Sequence, residues 1–77
     1  MENRIKELRA ANGLSQKALA ELVGIRYESV GAIERGKFEP QLETAIKIAR
    51  VFGLRVEEVF LYKPPPDAEA TRAGVSP

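Results

Sequence analysis

The chain has 77 residues, 44% of them hydrophobic and 30% charged, and a formal net charge of +1, which suits one small domain with a modest core. It contains neither Cys nor His, which excludes disulfides, thiolate metal sites and the usual general base, so we expect no metal, cofactor or catalytic site. No apolar run approaches the roughly 20 residues of a membrane span, and no signal-peptide pattern is visible, so we expect a cytoplasmic protein without membrane contact.

The first predicted helix covers residues 3–11. Ile5 and Leu8 share one apolar face at helical spacing, and Asn12 and Gly13 end the segment.

The most specific pattern lies between Ser15 and Gly36, where two helices are predicted on either side of a tight turn. Ser15 can accept a hydrogen bond from an unpaired backbone N–H at the start of the first of these helices. Gly24 follows its apolar face, where a helix commonly ends in a left-handed conformation. The residues expected to pack the two helices together are Leu19, Leu22 and Val23, small Ala20 at the crossing, Ile25 in the turn, and Val30 and Ile33. This spacing is typical of a helix-turn-helix; the alternative is a small helical bundle whose hairpin never meets DNA.

After a loop at residues 36–40, a fourth helix is predicted over residues 41–52 and a short fifth helix over residues 56–60. The fourth helix is expected to turn one stripe toward the core: Leu42, Ala45, Ile46, Ala49 and Phe52. No β-strand alternation extends beyond a few residues, so the predicted fold is all-α. Residues 1–62 are assigned to the domain and residues 63–77, which include Pro64, Pro65 and Pro66, to a disordered Pro-rich tail.

Residues 3–62 resemble the Cro/CI-type (XRE-like) helix-turn-helix regulators. The resemblance depends on four blocks: Gly13-Leu14-Ser15-Gln16, Leu19-Ala20 with Gly24, Ile33-Glu34-Arg35-Gly36, and Ala49-Arg50-Val51-Phe52-Gly53-Leu54. It implies a five-helix, lambda-repressor-like DNA-binding domain with the helix-turn-helix at helices 2 and 3.

The resemblance also implies contacts to double-stranded DNA. Gln16 matches a position of this family at which the side chain hydrogen-bonds a DNA phosphate. Lys17, Arg35 and Lys37 match phosphate contacts that fix the position of the protein along the DNA. Each of these three cations could instead be a solvated surface charge. Arg26 lies where many relatives have a capping Ser, and a phosphate or guanine contact is expected of it.

Tyr27, Glu28 and Ala32 match base-reading positions on the third helix, and Ser29 could reach a base or a phosphate. Glu28 can accept from the amino group of cytosine, and Ala32 suits the methyl group of thymine. Glu28 could instead stabilise the positive N-terminus of the helix.

Two further groups complete the predicted site. The resemblance implies a structural ion pair between Arg9 and Glu34. The apolar C-terminal edge offers Leu54, Phe60 and Tyr62 as a two-fold interface, although all of these residues could serve the monomer core.

The sequence therefore predicts a transcriptional regulator, expected to be a repressor, that binds a palindromic operator as a homodimer and needs no small-molecule effector. The alternative is an antitoxin-like protein-interaction module that neutralises a toxin and binds DNA only secondarily. The Pro-rich tail is the feature that favours this alternative.

Overall fold

The computed structural model describes residues 1–62, and the tail predicted at residues 63–77 lies outside them. The elements are β1 (Glu2–Asn3), α1 (Ile5–Ala11), α2 (Gln16–Val23), α3 (Tyr27–Glu34), α4 (Leu42–Val51), α5 (Val56–Val59) and β2 (Phe60–Leu61). The five helices confirm the predicted lambda-repressor-like architecture, with the helix-turn-helix at α2 and α3. Within residues 1–62, no helix is long and apolar enough to cross a membrane.

The α2–α3 turn has the local structure that its residues predict. The Oγ of Ser15 accepts from the backbone N–H of Ala18 at 3.0 Å, which caps α2. Gly24 has φ +83°, a left-handed conformation that favours glycine. The backbone N–H groups of Gly24 and Ile25 both donate to the carbonyl of Ala20, at 2.8 and 3.0 Å, and these bonds end α2 sharply.

The core lies where all five helices meet β2. Its buried members are Ile5, Leu19, Ala20, Val23, Val30, Ile33, Ala45, Ile48, Ala49, Val59 and Phe60. The prediction that Leu22, Leu42 and Ile46 face this core is wrong. Leu22 is 62% exposed and Leu42 is 73% exposed, and Ile48 fills the place on α4 that the prediction gave to Ile46.

The reason for this difference is the position of each side chain on its helix. Leu22 precedes buried Val23 by one residue, which turns it about 100° away from Val23 on α2. Ile46 follows Ala45 by one residue, which turns it about 100° away from the buried face of the helix. Leu42 points in nearly the same direction as buried Ala49, seven residues further along the helix. It lies at the first residue of α4, however, beside an open apolar groove that Phe60 also lines.

A short antiparallel sheet, which the sequence analysis did not predict, joins the two ends of the domain. Glu2 pairs with Leu61, and Asn3 pairs with Phe60. The Nδ2 of Asn3 also donates to the carbonyl of Ile33 at 2.8 Å, so β1 is tied to the end of α3 as well as to β2. Consequently α1 begins at Ile5 rather than at residue 3, and α5 ends at Val59.

Candidate nucleic-acid interface

The outer face of α3 is open to solvent in the described part of the chain. Val30, Gly31 and Ile33 turn toward the protein and are buried. The side chains of Arg26, Tyr27 and Glu28 are exposed, and those of Ser29 and Ala32 are half-buried. This burial pattern leaves all the predicted base-reading residues on one accessible side of an eight-residue helix.

Cations lie at both ends of this face. The Nζ of Lys17 in the first turn of α2 lies 5.4 Å from the ring centroid of Tyr27, within cation–π range. Arg26 precedes α3 in an extended conformation without a side-chain capping bond. Arg35 and Lys37 are exposed just after α3. A nucleic-acid groove that received α3 would therefore have its negatively charged phosphates near positive side chains at both ends of the helix.

Gln16 and Arg35 converge on the backbone of Gly31. An added Cβ at Gly31 would lie 3.2 Å from the Nη1 of Arg35 and 3.5 Å from the Nε2 of Gln16. The missing side chain thus leaves space for both of these groups beside α3. The Nε2 of Gln16 donates one hydrogen to the Oε1 of Glu34 at 3.1 Å, and no acceptor within residues 1–62 takes its second hydrogen.

The structure brings Arg9 and Glu34 together in a two-pronged ion pair. The Nε of Arg9 donates to Oε2 of Glu34, and its Nη2 donates to Oε1 at 3.1 Å. The Arg9 Nη1 donates to the carbonyl of Leu14 at 3.0 Å. The hydrogen bond to Glu34 raises the pKa of Arg9 more than desolvation lowers it, so the guanidinium stays charged. Through Gln16, this network links α1, α2 and α3 and holds α3 in its orientation.

A shallow concavity of about 360 Å³ lies against the outer face of α3, and Arg26, Glu28, Ser29, Ala32 and Phe38 line it. Phe38 is 51% exposed, and the sequence analysis did not select it. The signal that could have found it is an aromatic residue in the short loop directly after the cations at the end of α3.

The three residues predicted for a two-fold interface lie in different environments. Leu54 is half-buried against the core. Phe60 is 6% exposed and belongs to the core, whereas Tyr62 is 63% exposed. Leu61 beside it is also exposed. Residues 1–62 contain no cluster of His, Cys, Asp or Glu that could hold a metal ion.

Comparisons with known proteins assign this arrangement to a class. A helix-turn-helix family model matches residues 5–59. An uncharacterized HTH-type transcriptional regulator of Archaeoglobus fulgidus is 47% identical over 62 residues, which cover 80% of this chain and 89% of the relative. The crystal structure of the restriction-modification controller protein C.AhdI from Aeromonas hydrophila is similar at 40% identity, with a TM-score of 0.68 over 74% of this chain and 86% of that one.

A third similar structure is that of the SinR protein/SinI protein complex, at 28% identity and a TM-score of 0.69 over 95% of this chain and 80% of that one. The chain thus belongs to the helix-turn-helix family. It is a transcriptional regulator with a helix-turn-helix DNA-binding domain, of a class that is not enzymatic.

Proposed function

We propose that this chain binds a palindromic operator as a homodimer in the cytoplasm and represses transcription by covering a promoter. The observation that carries this proposal is the open outer face of α3, with cations at both of its ends and nothing from residues 1–62 laid across it.

The proposed contacts follow from that geometry. Tyr27, Glu28, Ser29 and Ala32 lie on the exposed side of α3, where side chains reach base edges when a recognition helix enters the major groove. The groups proposed to bind phosphates flank them: Gln16, Lys17, Arg26, Arg35 and Lys37. Phosphate contacts of this kind fix the position of the helix and carry no sequence information.

A second copy is proposed because α3 is short. Its eight residues span about 12 Å, so one helix reaches only a few base pairs. Two helices about 34 Å apart would enter successive major-groove faces. The exposed Tyr62, next to Leu61 and close to Leu54 and Phe60 in the chain, supports a two-fold contact at the C-terminal edge.

The test begins with selection of bound fragments from random DNA by the purified full chain. Two-fold symmetric selected sites, and a sedimentation mass of two chains on such a site, are expected. Selected sites without two-fold symmetry would contradict the homodimer.

The phosphate contacts are tested by salt titration on the selected site. The double variant Arg35→Ala, Lys37→Ala should reduce the slope of log affinity against log salt by about 1.8 per half-site, since each lost phosphate contact contributes about 0.9. Lys47→Ala with Arg50→Ala removes the same charge from exposed positions of α4 and should leave the slope nearly unchanged. Equal effects of the two double variants would mean that net charge alone governs binding.

A second candidate function is an antitoxin-like module that binds a protein partner such as a toxin. The similarity to a chain in the SinR protein/SinI protein complex favours this candidate. Copurification of a stable partner, together with weak DNA binding by the chain alone, would support it. Tight operator binding by the chain alone would support repression instead.

A further inference from the structure

Phe38 is an apolar side chain that lies outside the hydrophobic core of residues 1–62. It lies in the loop after α3, is half exposed, and belongs neither to the core nor to the partly buried side chains packed against the core. An aromatic ring carries a large apolar surface that is available to a ligand.

The position of Phe38 indicates what kind of ligand this is. Phe38 lines the concavity on the outer face of α3 together with Ala32. Glu28, Ser29 and Arg26 supply the polar side of the same concavity. The concavity therefore combines one apolar wall with hydrogen-bonding groups, on the face that is proposed to enter the major groove.

On the major-groove edge of the standard base pairs, the C5-methyl group of thymine is the apolar feature, and alanine and phenylalanine side chains suit it. We propose that Phe38 and Ala32 together bind the C5-methyl group of a pyrimidine, which makes Phe38 a specificity-determining residue. This inference rests on the proposed function, because it requires α3 to face the base edges. The methyl group could come from thymine or from 5-methylcytosine, and Glu28 can accept from the amino group of a cytosine beside it.

The experiment uses the operator selected by the full chain. Each thymine is replaced in turn by deoxyuridine, which removes only the C5-methyl group. At one symmetric pair of positions, the wild-type affinity should fall by about fourfold for each half-site, as expected for the burial of one methyl group. In a parallel series each cytosine is replaced by 5-methylcytosine, and a gain of similar size there would identify that base as the source of the methyl group.

Phe38→Ala completes the test. This variant should bind the thymine operator more weakly than wild type, and it should lose the response to deoxyuridine at the same positions. Leu22→Ala is the matched control, since Leu22 is a similarly exposed apolar residue on α2 that does not line the concavity. It should keep the full wild-type response.

Two outcomes would overturn the inference while leaving the proposed function intact. One is an operator at which no replacement of a C5-methyl group, in either series, changes the affinity. The other is a Phe38→Ala variant that weakens binding equally with thymine and with deoxyuridine, which would place the ring against the sugar–phosphate backbone. If the chain selects no DNA at all, the proposed function fails first, and this assignment fails with it.

Discussion

Replacing Arg9 by Met should destabilise the domain far more than the loss of an ordinary surface charge. Glu34 is 7% exposed and Arg9 is 14% exposed in their side chains, so the substitution leaves a nearly buried carboxylate without its cation. Methionine has a similar unbranched stem and can keep the packing of the arginine methylenes. The variant therefore tests the charge and the hydrogen bonds rather than the volume.

The expected magnitude follows from the partners that remain. Breaking a buried ion pair by removing one member costs about 3–5 kcal/mol. Glu34 keeps the hydrogen bond from Gln16, and water has some access to the site, so we expect a loss of about 2–3 kcal/mol. In a domain of this size, that loss corresponds to a fall in Tm of roughly 10–20 °C.

Thermal and urea unfolding followed by circular dichroism measure this effect. Lys47→Met is the control, because it removes an exposed pair with Glu43, whose N–O distance is 3.2 Å, and it should cost only about 0.3–0.5 kcal/mol. Equal losses in the two variants would refute the reasoning. The double variant Arg9→Met, Glu34→Leu should lose less free energy of unfolding than the sum of the losses in the single variants Arg9→Met and Glu34→Leu. The reason is that the double variant contains no unpaired charge at this site.

Three further predictions concern local structure. Ser15→Ala removes the capping hydrogen bond at the start of α2 and should lower the free energy of unfolding by about 1 kcal/mol in urea titrations. Gly31→Ala should raise it by about 0.5–1 kcal/mol, because the mobile end of Arg35 can move away from the new methyl group while the helix gains propensity. Glu58→Gln should reduce the loss of stability on acidification. The hydrogen bond from the backbone N–H of Arg55 lowers the pKa of Glu58. The contribution of Glu58 to the free energy of unfolding is therefore full above the ordinary glutamate pKa and is lost as the pH falls through the lowered pKa.

Each of these three has a result that would contradict it. An unchanged urea midpoint in Ser15→Ala would mean that water replaces the cap without cost. A lower Tm in Gly31→Ala would mean that Arg35 cannot move aside. Stability curves of wild type and Glu58→Gln that stay parallel down to acidic pH would remove Glu58 from the acid response.

The helix-turn-helix was predictable because its signals are local. A capping hydroxyl at Ser15 and a glycine at the end of α2 act within a few residues of the chain, and the structure has both features where the sequence placed them. Helical periodicity also predicts the open face of α3, because the buried residues Val30 and Ile33 determine which side of the helix faces solvent.

Other features depend on contacts that a single sequence does not reveal. Periodicity predicts a stripe on α4 but not how far the neighbouring elements extend, so Leu42 was assigned to the core although it is 73% exposed within residues 1–62. Strands of two residues are too short to show alternation, so β1 and β2 carried no signal. Phe38 was not selected because the concavity that it lines together with Ala32 forms only when the loop folds beside α3.

The pairing of β1 with β2 joins the first and the last elements of the domain to be synthesised. Glu2 and Asn3 leave the ribosome early, yet their partners, Leu61 and Phe60, emerge only after all five helices have been made. The helices α1 to α4 can begin to dock through contacts between nearby segments, while the first strand stays unpaired. Closing such a long loop adds little entropy cost beyond that of a shorter one, so the distance in sequence between the two strands is a small obstacle to their pairing once β2 has emerged.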